Sequence, residues 1–256
     1  MCIKLKIFVL IISIWASFAY SHSMEKENHY IYILVHGMTG GGWDWKLVDN
    51  LLTEEGHKVY RPTLTGLGEK LHLSNPDIDL STHVLDIVNL IKFEQLDNIV
   101  LVGHSYGGMV ITGVVNQVPG KIQHVFFLDA LVPDHNMSAV DVAGRYIKFN
   151  SKNGLIYPPW LEDTDSFPRD VPHPIKTLTE KVQFNNKIAQ KLPATYINFT
   201  PTNLIKRERS INSSWKRAEK RGWVITTLDS DHNAQRSNPE ARKERSLSFS
   251  ARGFNC

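Results

Sequence analysis

The sequence predicts an α/β protein: about six strands in one mostly parallel sheet, flanked by helices and interrupted by an insertion. From Tyr30 onward, short apolar runs alternate with longer stretches of helical periodicity, the pattern of βαβ units, in which each parallel strand needs a crossover. Two glycine-rich turns, at residues 36–42 and 103–107, each follow an apolar run directly, which places both at the carboxyl edge of such a sheet. A chain of 256 residues with 42% hydrophobic residues can bury one core of this size without a second domain.

The elements follow in order. Residues 30–35 read as a buried strand running into the first glycine-rich turn. Residues 43–55 are expected as a helix with Trp43, Leu47, Leu51 and Leu52 on its apolar face. A second strand at 57–61 is closed by Pro62 and the loop 63–68. Ser81 is expected to cap a helix reaching about Phe93, with Val84, Ile87, Val88 and Ile91 facing inward. The third strand, 98–103, leads to Ser105; a helix over 106–117 stops before Pro119 and Gly120; and 122–128 is the fourth strand. The pattern then breaks. Between about Val132 and Leu192 the chain is rich in Pro and aromatics (Tyr146, Phe149, Tyr157, Trp160, Phe167). It reads as a lid, because those aromatics need a surface to pack on. Strands resume at 194–199 and 223–228, with a helix at about 209–221 between them and a final helix from about Asn238.

The first 21 residues stand apart. Lys4 and Lys6 precede an apolar stretch at 7–15, and Ala16, Ser17, Ala19 and Ser21 follow, the layout of a secretory signal peptide. The mature domain is then 28–256, secreted or periplasmic. The apolar run is shorter than the roughly 20 residues of a membrane-spanning helix, so no stable membrane insertion is expected after cleavage; an uncleaved anchor is the alternative. Cleavage removes Cys2 and leaves Cys256 alone, which excludes an intrachain disulfide. The formal charge of +3 is small. Lys206, Arg207, Arg209, Lys216, Arg217, Lys220 and Arg221, with Arg242, Lys243 and Arg245 later, recur at helical spacing between Glu and Asn residues. They read as a solvated helix face, not the concentrated footprint of a nucleic-acid protein. No Cys/His spacing suits a metal, the sequons at Asn136, Asn198 and Asn212 read as chance matches, and no oligomeric state is assigned.

Gly103-His104-Ser105-Tyr106-Gly107 fits G-x-S-x-G, the nucleophile elbow of the α/β-hydrolase fold, and sits between an apolar strand and a helix as that motif requires. The turn is so tight that side chains at the glycine positions would clash, and it holds the Ser105 hydroxyl clear of the backbone beside a helix N-terminus. Attack on a carbonyl creates an oxyanion that needs two N–H donors. Tyr106, after the nucleophile, is one candidate; Met38 in the 36–42 loop is the other. A serine hydroxyl also needs a base. His232, just past the last strand, returns to the same edge, whereas His104 is expected to point elsewhere on the elbow and His36 to support its own loop. The acid comes between Ser and His in this fold. Asp129 ends the run Val125-Phe126-Phe127-Leu128, where a half-buried carboxylate needs a partner, and is the first candidate. Asp134, which a turn would also explain, is the second; Asp229 and Asp231 remain behind them.

Taken together, VHGMTGGGWDW, YRPTLTGLGE, DIVNLI, IVLVGHSYGGMVITGV and FFLDALVPD, with weaker TYINFT and LDSDHN, resemble the group of plant methyl salicylate esterases and hydroxynitrile lyases, and more closely its bacterial esterase-like relatives. That resemblance implies a six-stranded core, a helical cap over a mostly apolar pocket, and hydrolysis of small esters without a cofactor. Plant members carry their acid after the strand matching 194–199, where this chain has Thr200-Pro201-Thr202-Asn203, and tend to have an apolar residue where Asp129 stands; the exchange favours Asp129 as a relocated acid. The lyases carry Thr at the place of Gly37 and Lys at that of Asn233, so an esterase acting on a small-molecule ester is expected ahead of a lyase or a ligand-binding protein on the same scaffold.

Overall fold

In the computed structural model, the structure describes residues 29–144, 150–162 and 164–237. Nine strands are named there, β1 (Ile31–Val35), β2 (Lys58–Tyr60), β3 (Ile99–His104), β4 (Ile122–Leu128), β5 (Asn150–Lys152), β6 (Leu155–Tyr157), β7 (His173–Pro174), β8 (Ala194–Phe199) and β9 (Val224–Leu228). Six form one sheet in the order β2-β1-β3-β4-β8-β9, with every neighbouring pair parallel. Within the sheet the chain passes from β1 to one edge at β2, then crosses back to β3. The loops after β1 and β3 therefore leave adjacent strands at a reversal of winding, where a crevice opens in such sheets.

The central strands read as apolar runs because both faces are covered. Along β1, Ile33 and Val35 join one core with Leu101, Met109, Val110, Ile87 and Ile91, while Leu34 enters the core on the other face with Trp45, Val48, Val100, Val102 and Leu228. That is the period-two alternation of a strand dividing two layers. Helices α2 (Leu80–Phe93) and α3 (Gly107–Gln117) cover the first face, and all four residues expected to face inward from α2 are buried.

Three local expectations are corrected. The stretch after the first turn begins as a 3₁₀ turn, Gly42–Trp45, before α1 (Lys46–Glu54). The tighter winding rotates the buried face, so Trp45 and Val48 point inward and Leu47 is 47% exposed. Helix α2 is capped by Asp79, which accepts from Thr82 N–H at 2.8 Å, while Ser81 lies inside it and gives its N–H and hydroxyl to Glu180. The helix expected at 209–221 is two, α6 (Ile205–Ile211) and α7 (Ser213–Lys220). Asn212 breaks them, its Oδ1 accepting from Ser214 and Trp215 N–H, the local competition that favours Asn at caps over helix interiors.

Between β4 and β8 the insertion carries α4 (Ala139–Ala143), the antiparallel sheet β5-β6-β7 and α5 (Lys176–Thr179). After β9 comes the short α8 (Ala234–Ser237). The expected signal peptide, Cys2, Cys256, Tyr146, Phe149, Arg242, Lys243, Arg245 and the helix from Asn238 lie outside the described residues. Among the described residues no helix is long and apolar enough to cross a membrane. The cap assignment predicts that Asp79→Ala lowers unfolding free energy by about 1 kcal/mol in urea titration, whereas an unchanged midpoint would show that the Thr82 bond contributes nothing.

Candidate active site

The site is assembled from the carboxyl ends of β1, β3, β4 and β9. Ser105 follows β3 with φ 52°, a conformation costing a non-glycine residue about 1–2 kcal/mol. The neighbours hold it there: Ser105 N–H donates to Leu128 O at 3.3 Å, and Ser105 O accepts from Gly108 and Leu131 N–H. The glycines are required by close approach. A Cβ on Gly107 would stand 2.8 Å from the carbonyl oxygens of Val35 and His36, and one on Gly108 only 2.1 Å from Leu131 O.

His232 links the elbow to β4. Its Nε2 is 3.0 Å from Ser105 Oγ and its Nδ1 2.5 Å from Asp129 Oδ2. A carboxylate only accepts, so Nδ1 carries the proton and Nε2 presents its lone pair to the serine hydroxyl. Asp129 has φ 45°, again left-handed, and its N–H is tied to Ile197 O at 2.7 Å; Asp tolerates this region better than most residues. Its side chain is 15% exposed, that of His232 51%, so the carboxylate is shielded and the imidazole open to solvent. Burial and the nearby Asp129 charge push the Tyr196 phenol up.

The other aspartates turn elsewhere. Asp134, the second candidate, is held by Arg221 at 2.8 Å and Arg217 at 3.2 Å; burial raises its carboxyl, but the hydrogen bonds and charges of the two cations together outweigh it and leave the carboxyl below its ordinary value. Asp229 accepts from Thr202 Oγ1, and Asp231 from Asn233 N–H in a local turn. At the end of β8, Asn198 is buried and donates to Thr200 Oγ1; no carboxylate stands there.

Met38 and Tyr106 lie on the two loops expected to supply N–H donors. The loops are in contact: a Cβ on Gly37 would sit 3.1 Å from Ser105 Cβ. Tyr106 stands at the N-cap of α3 and is buried, its hydroxyl donating to His83 Nδ1 at 3.0 Å. His36 donates from Nδ1 to Gly37 O and accepts at Nε2 from Leu64 N–H at 3.0 Å, bracing its loop against 63–68. His104 does not point away from the site: its Nε2 donates to His232 O at 2.7 Å, and Gln235 Nε2 donates to its Nδ1. The reading of it from sequence adjacency alone is corrected. Arg236 adds an ionic tie, 2.6 Å from buried Asp44 and 3.2 Å from Asp170, over the Trp43 ring. The sequence reading did not find Gln235, Arg236 or Asp44 as supports, because their partners are remote in the chain and no motif marks them.

A parallel sheet carrying a serine elbow, with a histidine from the last strand over it, defines the class of protein. The profile described as the alpha/beta hydrolase family matches residues 32–245, and the chain belongs to that family. Among curated proteins it is 47% identical over 107 residues to a carbendazim hydrolyzing esterase of Nocardioides sp. (strain SG-4G), covering 42% of this chain and 44% of that protein. It is 36% identical over 120 residues to salicylic acid-binding protein 2 of Nicotiana tabacum, 46% of this chain and 45% of the relative. The chain thus spans about half the length of the curated relatives it matches. An extracellular alpha/beta-hydrolase from a Paenibacillus species shares the fold with a TM-score of 0.67 at 22% identity, over 86% of this chain and 98% of that one.

Burial sets the charge state of the surrounding histidines. It lowers His36 to about 3 and His83 to about 4, and holds His173 well below its ordinary value, so all three stay neutral in the folded chain but take up protons below about pH 6.5 when unfolded. Their stabilisation is present above that pH and is lost as pH falls toward the folded values. Asp44 works oppositely: burial, against the pull of Arg236, raises it to about 7, so its contribution declines as pH rises from about 4 to 7. His124, also lowered by burial to about 4, adds a fourth proton gained on unfolding, and together these outnumber the one that Asp44 releases, so stability falls as pH falls through this range. Urea midpoints should therefore fall steeply between about pH 6 and 4.5, whereas a flat or rising profile would contradict the neutral histidines.

Proposed function

We propose that the protein is a carboxylic-ester hydrolase acting on small esters through an acyl-enzyme. The observation that carries this reading is the continuous path from Ser105 Oγ through His232 to Asp129, at 3.0 and 2.5 Å. Relatives named as esterases and methylesterases support ester chemistry.

In this mechanism Ser105 Oγ bonds to the ester carbonyl carbon while its proton passes to His232 Nε2. The carbonyl electron pair moves onto oxygen, where the N–H groups of Met38 and Tyr106 receive it. Collapse breaks the bond to the leaving alkoxide, which takes the proton from His232. A water molecule then repeats the sequence on the acyl-enzyme and frees Ser105. Asp129 keeps the imidazole in the Nδ1–H tautomer and stabilises it when protonated. Proton transfer of this kind contributes roughly 10²–10⁴-fold, and each oxyanion donor about 10²–10³-fold. No step calls for a metal or cofactor.

The insertion at 132–192 acts as a cap over the pocket, and the basic start and short apolar stretch before Ser21 favour export to the periplasm or outside the cell. Ser105→Ala is expected to abolish turnover of p-nitrophenyl acetate while the fold is retained; turnover at the native rate would sink the assignment. Asp129→Asn should lose about 10²–10⁴-fold in kcat, and Asp134→Asn should remain near native. The reverse pattern would move the acid to Asp134, and tight ester binding without any turnover would favour a ligand-binding protein on this scaffold.

A further inference from the structure

Thr39 is the least comfortable residue in the first glycine-rich loop. It is β-branched, 1% exposed and held at φ 67°, a region where a branched residue is a genuine outlier and persists only if its surroundings fix it. The insertion supplies that fixation. Thr39 N–H donates to His173 Nδ1 at 3.2 Å, Thr39 O accepts from Val171 N–H at 2.9 Å, and Thr39 Oγ1 accepts from Trp160 Nε1 while donating to Met38 O.

His173, on β7, is fully buried. Its Nδ1 accepts the Thr39 amide, so the ring must be neutral with its proton on Nε2. That proton goes to Thr177 Oγ1 at 2.8 Å, and Thr177 in turn donates to Pro174 O at 2.7 Å. Thr177 therefore selects the tautomer that leaves Nδ1 free to hold Thr39. The same ring packs edge-on against Tyr106, with centroids 5.0 Å apart. His173 thus touches the residue after Met38 on one loop and Tyr106 itself on the other.

We propose that His173, in the tautomer set by Thr177, is a positioning residue through which the insertion holds both halves of the oxyanion site in register. The inference rests on the esterase reading for the identity of that site. It makes the oxyanion geometry conditional on a docked cap: when β7 lifts, Thr39 loses the partners that keep it left-handed, and the Met38 amide turns with it.

The test compares three variants for turnover of p-nitrophenyl acetate and for affinity toward phenylboronic acid. The boron of this compound accepts an electron pair from Ser105 Oγ as the hydroxyl proton moves to His232, which places a tetrahedral oxygen in the oxyanion site. His173→Asn keeps an acceptor near the place of Nδ1; His173→Gln places its polar end near Nε2 and abandons Thr39; Thr177→Val frees the ring to adopt the other tautomer. His173→Gln and Thr177→Val should lose about 10- to 100-fold in kcat, the scale of a small misplacement of catalytic groups. Boronate affinity should fall in parallel, KM should change little, and His173→Asn should recover most of the loss. Native kcat and boronate affinity in His173→Gln and Thr177→Val would overturn the proposal. So would equal losses in all three variants that track their melting temperatures, which would mark a packing role only. Absence of turnover in the native chain would instead sink the esterase reading, and the boronate comparison would still decide the part played by His173.

Discussion

Two left-handed residues at the ends of adjacent strands organise the site: Ser105 after β3 and Asp129 after β4. Each conformation is unfavourable for a side-chain-bearing residue, and each is held by backbone bonds to a neighbour. Ser105 N–H reaches Leu128 O, the last carbonyl of β4, and Asp129 N–H reaches Ile197 O on β8. The parallel register of β3, β4 and β8 is thus carried past the strand ends to Ser105 and Asp129. A slip in that register would separate the serine from the carboxylate, so the apolar runs that fix the sheet also fix the distance His232 must bridge.

Around this centre, most of the supporting polar groups act without a net charge. His36, His83, His104 and His173 are buried, and each is fixed by hydrogen bonds to backbone, hydroxyl or amide groups. Neutral imidazole can donate on one side and accept on the other, which lets it join two loops where an ion would need a counter-charge. The exception is Arg236, which is paired with Asp44 and Asp170 and covers Trp43. The loop bearing His232 is consequently anchored twice, by His104 on its carbonyl and by Arg236 one helical turn later.

The sheet and the serine were legible because their signals are local and repeated. Apolar runs identified β1, β3 and the second half of β4, and β4 and β8 occupy the expected residues without shift. The elbow announced itself through glycines whose missing side chains are a steric necessity. Asp129 could be preferred over Asp134 from its place at the end of β4, and in the structure the Asp134 carboxylate is claimed by Arg217 and Arg221, 83 and 87 residues away. Two of the misreadings share one cause. Whether Asp79 or Ser81 caps α2, and whether residues 209–221 form one helix or two, depends on single side-chain bonds that periodicity does not encode. The link between Thr39 and His173 spans 134 residues and joins a glycine-rich turn to a stretch with no periodic signal, so nothing in the local sequence pairs them.

The central claim is that one hydroxyl, at Ser105, is made nucleophilic by its position. Peptide mapping after reaction with a fluorophosphonate tests this directly, because the phosphorus is captured by whichever oxygen attacks it. The account predicts a single phosphonyl adduct, on the peptide bearing Ser105, formed in step with the loss of esterase activity. Full loss of activity with the adduct on another residue, or ester turnover that persists with Ser105 fully modified, would contradict it.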